Sequence, residues 1–253
     1  MSRKRPLRGG IYLMPTLFTV GNLLCGFSSM ILAARGEFGS AAVLIILAGV
    51  LDGLDGRIAR LTGSTSEFGL QFDSLADAVS FGVAPAMLAY HWTLEPLDRV
   101  GWLVAFVFVV CAAMRLARFN IQASRGDKRW FAGLPSPAAA GIVASVAFAF
   151  PGAAQTGWTS ALRAILIAAV GLLMISRFRY RSFKDLDLRN RRSYIYVLPM
   201  AMLLVAIAIQ PRFSLLGVSA VYGISGPAAY LVASLRRQLA TDHGETADEP
   251  LSR

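Results

Sequence analysis

Charge is what this chain has least of. Only 16% of its 253 residues are Asp, Glu, Lys or Arg, against roughly 25% in an average soluble domain. With 55% hydrophobic residues and a mean hydropathy of +0.55, that scarcity excludes an ordinary soluble globule and points to a polytopic membrane protein. Cysteine is nearly absent as well: Cys25 and Cys111 both lie within apolar runs. They show no metal-ligand or redox spacing and read as small core residues. Acid is scarcer than base, 15 residues against 25, for a net charge of +10. In so apolar a chain the partner implied by that excess is the anionic face of a bilayer, not nucleic acid. Histidine is confined to His91 and His243.

What is abundant is long apolar sequence. A window of about 20 residues, enough to cross roughly 30 Å of hydrocarbon as a helix, finds eight candidate spans. They run at about 11–33, 40–60, 72–92, 100–119, 135–154, 160–177, 194–210 and 213–235. The fold class expected is therefore all-α, a transmembrane helical bundle. The first span follows the basic start Arg3, Lys4, Arg5 and Arg8, yet its apolar run is too long for a signal peptide of roughly 7–15 apolar residues.

Counting Lys and Arg in alternate loops orients the bundle. If the N-terminus is cytoplasmic, the outer side receives Arg35, Arg99, Arg163 and Arg212, and all the other basic residues fall inside. That skew places both termini in the cytoplasm. The chain then divides into a basic cytoplasmic segment at 1–10, a transmembrane domain at 11–235, and a polar tail at 236–253 expected to be unstructured.

Against this apolar background, residues 52–77 stand out. Asp52, Asp55, Asp73 and Asp77 lie in or at the edges of two spans, where a charged side chain costs roughly 2.5–3.5 kcal/mol at mid-membrane depth. The topology brings all four to the cytoplasmic ends of neighbouring helices. Asp52 and Asp55 are spaced i, i+3 and Asp73 and Asp77 i, i+4, so each pair shares a helix face. Clustered carboxylates repel and call for cations. Hard oxygen ligands of this kind suit two Mg²⁺ or Mn²⁺ ions held together with substrate phosphates. Gly56 and Gly69 leave room for a ligand or for close helix packing, and Arg60 offers a fixed cation to phosphate.

The pattern D-x-x-D-G-x-x-A-R, eight residues, then G-x-x-x-D-x-x-x-D is met at Asp52, Asp55, Gly56, Ala59, Arg60, Gly69, Asp73 and Asp77. It resembles the signature of the CDP-alcohol phosphotransferase family. The stretches T-V-G-N-L-L-C-G at 19–26, D-S-L-A-D-A-V-S-F-G-V-A-P-A at 73–86, R-L-A-R-F-N at 115–120 and G-L-P-S-P at 133–137 are similar to its bacterial, membrane-embedded phosphatidylserine synthase branch. The similarity runs over about residues 5–235. One departure is Pro15-Thr16, where relatives often carry Pro-Asn.

The resemblance implies a transferase of the inner bacterial membrane that takes CDP-diacylglycerol and L-serine as substrates; the loop charges put its site on the cytoplasmic face, and a homodimer is expected. It implies that Asp52, Asp55 and Asp73 hold two divalent cations, and that Asp77 assists with the second and serves as general base. Gly56 and Arg60 match positions contacting the CDP moiety, Ser66 stands where a small hydroxyl residue does so, and Asn22 falls beside the nucleotide pocket. The signature holds only the shared CDP half, so another acceptor alcohol, glycerol phosphate or inositol phosphate, stays open.

Outside the signature, Arg115 and Arg118 are the candidate cations for a serine carboxylate, with simple positive-inside anchoring as the alternative. The basic run from Arg177 to Arg192 reads as a topology signal and lipid-headgroup contact. Glu67 and Asp98 read as solvated loop charges, and two histidines are too few for paired His and Lys catalysis. Gly217, Gly223 and Gly226 suit close helix packing, a dimer interface included. Intramembrane carboxylates would also serve a cation-coupled transporter, but no internal repeat is visible.

Overall fold

A computed structural model describes residues 9–62, 66–124, 133–152, 157–176, 178, 180 and 194–244. Among these residues there is no strand, and nearly all lie in helices. Helix α1 (Gly9–Ala34) reverses into α2 (Phe38–Thr62) through a tight turn at Gly36, whose φ of 80° favours a residue without Cβ. Ser66 opens α3 (Glu67–Asp77): its Oγ accepts from the Gly69 backbone N–H at 3.0 Å. Glu67 stands in the first turn, where negative charge complements the helix dipole.

The chain continues without a break through a π-helical turn (Ala78–Val83), α4 (Ala84–Ala89), a second π-helical turn (Tyr90–Leu94) and a short 3₁₀ turn (Glu95–Leu97). Asp98, at φ 48°, ends this run, and α5 (Asp98–Ser124) folds back along it. Then come α6 (Ser136–Ala149), α7 (Gly157–Ile175), α8 (Tyr194–Ile209) and α9 (Pro211–Gly244). Pro151 follows the end of α6 and Pro211 begins α9, as expected of a residue that cannot donate within a helix.

Among the described residues, five stretches are long and apolar enough to cross a membrane: Thr16–Ala34, Phe38–Ile58, Glu67–Gln122, Gly157–Ile175 and Pro211–Val232. The third has 56 residues; straight, it would reach about 84 Å at 1.5 Å per residue, so the reversal at Asp98 makes it two antiparallel arms. Each expected apolar window falls on a helix, but α6 and α8, with 14 and 16 residues, are shorter than the roughly 20 a perpendicular crossing needs. At the other end, α9 runs helical to Gly244, into the stretch expected to be an unstructured tail. Residues 245–253 and the basic segment at 1–8 lie outside the described residues.

Two apolar clusters hold the bundle. One joins α1, α2 and α4 around Ile45, Phe81, Leu88 and Trp92; the other joins α5, α6 and α7 around Phe108, Leu134, Ile167 and Met174. Helix α6 serves both, because alanines at 139, 140, 144 and 147 let neighbours approach on two sides. Cys25 and Cys111 are free and buried, one in each cluster. Helix α8 is exposed over its described side chains from Ala201 to Ile209 except at Ile207, as a helix facing lipid would be.

Candidate metal and substrate site

The end of α2 and the start of α3 meet where the sequence concentrates its acid. Asp52, Asp73 and Asp77, all half-buried, each offer a carboxylate oxygen, and these oxygens lie within 4.8 Å of one another. That arrangement is a hard-oxygen donor set of the kind Mg²⁺ and Mn²⁺ take. The cluster therefore fits a divalent cation by donor type and by spacing. Asp55 is buried just beside the three, and its carboxylate accepts a hydrogen bond from Thr19 Oγ1 of α1.

Arg115 reaches the same space from α5. It interacts electrostatically with Asp77 and Asp52, and its Nη1 donates to Ser136 Oγ at 3.1 Å, at the start of α6. Its guanidinium also lies 5.6 Å from the Phe119 ring centre. Arg118, one turn along, is exposed. Of the two expected serine cations, then, only Arg115 is turned toward the carboxylates. Tyr222 of α9 also falls within electrostatic range of Arg115.

The remaining expected residues are distributed differently. Asn22 is fully buried, and its Nδ2 donates to Asp77 Oδ1 at 3.4 Å, so it faces the carboxylates. Ser66 is exposed and occupied as the α3 cap. Gly56 is exposed on α2 next to Asp55. A Cβ at Gly69 would stand 3.0 Å from Ser66 Oγ, so the cap itself favours a small residue there. The side chains of Ala59 and Arg60 lie outside the described residues, as does most of the basic run from Arg177 to Arg192.

Two polar contacts near the site escape sequence reading. Asn120 Nδ2 donates to Ser74 Oγ at 3.0 Å, tying α5 to the turn that carries Asp73. Ser80 Oγ donates to the Asn22 carbonyl oxygen at 3.0 Å, joining the first π-turn to α1. Their partners are 46 and 58 residues away in sequence. Ser74 and Asn120 do stand inside the similar stretches at 73–86 and 115–120, the one signal that could have pointed to them.

Residues 12–178 match the model of the CDP-alcohol phosphatidyltransferase family. The chain belongs to that family. A CDP-diacylglycerol–serine O-phosphatidyltransferase of Helicobacter pylori strain 26695 is 39% identical over 215 residues, covering 85% of this chain and 90% of the relative. One of Mycobacterium leprae is 34% identical over 218 residues, 83% of this chain and 72% of the relative. An archaetidylserine synthase of Methanothermobacter thermautotrophicus is 38% identical over 170 residues, 66% of this chain and 69% of the relative. The family match contains all four aspartates and Arg115, whereas α8 and α9 lie beyond it. Family membership and the apolar stretches together make the chain an integral membrane protein.

Proposed function

We propose that this protein transfers the phosphatidyl group of CDP-diacylglycerol to the hydroxyl of L-serine, giving phosphatidylserine and CMP. The observation that carries the reading is a buried-side cation, Arg115, facing the Asp52, Asp73 and Asp77 cluster, in a chain akin over most of its length to serine O-phosphatidyltransferases.

Asp52, Asp55, Asp73 and Asp77 would hold two divalent cations, Mg²⁺ or Mn²⁺. Bound there, the ions supply positive charge to the diphosphate and to the CMP that leaves. Gly56, Arg60 and Ser66 take the nucleotide side, with Gly56 leaving the α2 surface open beside Asp55. Asp77 accepts the serine hydroxyl proton as the serine oxygen bonds to the lipid-side phosphorus and the bond to the CMP oxygen breaks. No covalent enzyme intermediate is required. Arg115, held by its bond to Ser136, pairs with the serine carboxylate.

The reading includes eight membrane crossings with both ends cytoplasmic, in a bacterial inner membrane and with the site on the cytoplasmic face. In the homodimer, Gly223 and Gly226 are not free to form the contact. A Cβ at Gly223 would meet Ile142 Cδ1 at 2.9 Å and one at Gly226 would run into the Tyr180 ring, so both notches are filled from within the chain. Gly217 has nothing within 4 Å.

The test is to incubate the detergent-solubilised protein with labelled CDP-diacylglycerol, Mn²⁺ or Mg²⁺, and serine, glycerol phosphate or inositol phosphate in turn. Serine-dependent CMP release that chelator abolishes is expected. Preference for another alcohol would overturn the acceptor, and no release with any of them would overturn the transferase.

A further inference from the structure

Helix α1 carries a polar stripe through otherwise apolar sequence. Thr19, Asn22 and Gly26 are spaced i, i+3 and i+7 and so share one face. That face meets both halves of the carboxylate site. Thr19 Oγ1 donates to Asp55 on α2, and Asn22 Nδ2 donates to Asp77 on α3. The depth at which α1 sits is set one turn further on. Ser80 Oγ bonds the Asn22 carbonyl, and a Cβ at Gly26 would run into Ser80 Oγ and stand 2.8 Å from Ser80 Cα. Only glycine allows that approach.

Asn22 is costly to keep as mere helix packing. It is fully buried, and its Oδ1 has no hydrogen-bond partner among the described residues. A buried acceptor left unpaired is unfavourable, and an apolar side chain of similar volume would avoid it. Among the described residues, the bond to Asp77 is the one hydrogen bond its side chain makes.

We infer that Thr19 and Asn22 are positioning residues. Each fixes one oxygen of a carboxylate, Thr19 that of Asp55 and Asn22 that of Asp77, so that the other oxygen is presented toward the shared site. Donors of this kind orient ligating carboxylates, and losing one typically weakens metal binding or activity about 10- to 100-fold. The inference rests on the proposed assignment of the aspartates as the metal-holding group and deepens it. It also changes the role of Asn22, from lining a nucleotide pocket to orienting the base.

The full chain, purified in detergent, would be compared as wild type, Thr19→Val, Thr19→Ser and Asn22→Leu. Three quantities are read: Mn²⁺ binding by electron paramagnetic resonance of the free ion, kcat and serine KM for CMP release, and thermal unfolding. Thr19→Val and Asn22→Leu should weaken Mn²⁺ binding about 10- to 100-fold and lower kcat with serine KM unchanged, and Thr19→Ser should restore both. Unaltered Mn²⁺ affinity in folded Thr19→Val and Asn22→Leu, or a Thr19→Ser as impaired as Thr19→Val, would overturn the inference. If Asn22→Leu does not fold, the Thr19 pair decides alone. A wild type that binds Mn²⁺ but releases no CMP removes the transferase reading, and the Mn²⁺ comparison still decides the stripe.

Discussion

Arg115 and Arg118 are one turn apart on α5 and end in opposite surroundings. Arg115 lies between α5 and α6, bonded to Ser136 and drawn toward Asp52 and Asp77, whereas Arg118 is exposed. A charge-assisted hydrogen bond contributes about 1.5–3 kcal/mol, so Arg115→Gln should raise the serine KM by roughly 10- to 100-fold. The KM for CDP-diacylglycerol should change little. Arg118→Gln should leave both constants near wild type, because its charge does no more than anchor a helix end. Steady-state kinetics with serine varied at saturating lipid check the pair; an equal effect of both substitutions would return Arg115 to a generic basic anchor. The sequence alone could not separate the two arginines. Same residue type, same span end and same loop charge leave only the helix face to decide, and that face depends on α6 arriving from 21 residues away.

At the scale of elements, the contact between α1 and the π-turn after Asp77 is the tightest determinant of site geometry. A π-turn inserts an extra residue into the helical path and shifts the register of the turns beyond it, a device found often at functional sites. Here it brings Ser80 against Gly26 and so sets α1 beside Asp77. Gly26→Ala should therefore cost about 1–3 kcal/mol by overpacking, with a lowered thermal midpoint in detergent and lowered activity together. Gly141→Ala in α6 is the control: nothing lies within 4 Å of its Cβ position, and helix propensity favours Ala by about 1 kcal/mol. Thermal unfolding of both variants measures the contrast, and a Gly26→Ala as stable as Gly141→Ala would show that α1 can move away freely. The helices themselves were legible from apolar windows, and the four aspartates from their spacing. The π-turns were not, since A-V-S-F-G-V reads like any apolar helix. Nor were the bonds of Thr19 to Asp55 and Asn22 to Asp77, which join residues 36 and 55 positions apart. Such pairs are fixed by how helices assemble, and no local pattern announces them. Nor does the polar run after 236 announce a helix, although α9 extends into it as far as Gly244.

Across the whole molecule, the two ends of the bundle are built from different chemistry. The carboxylate end is polar and lies at the end of α2 and the start of α3. At the opposite end Trp92 is buried with Phe38 and Ala33, and its indole N–H donates to the carbonyls of Phe150 and Gly152 at 2.9 and 3.0 Å. Arg163 lies 4.3 Å over the Trp92 ring and donates to the Gly152 carbonyl, while Arg212 lies 5.9 Å from the Phe148 ring centre. Two of the four basic residues expected on the outer side, Arg163 and Arg212, thus lie against aromatic rings at that end. The proposed topology is open to a direct test. Cys25 and Cys111 are buried, so single cysteines placed at Glu37, Gly152 or Ser66, all exposed, can be read against a low background. A membrane-impermeant maleimide added to intact spheroplasts should label cysteines at 37 and 152 and label the one at 66 only after the membrane is opened. The reverse pattern would turn the aspartate site outward, away from the cytoplasmic pool from which the proposed reaction draws free serine and to which it returns CMP.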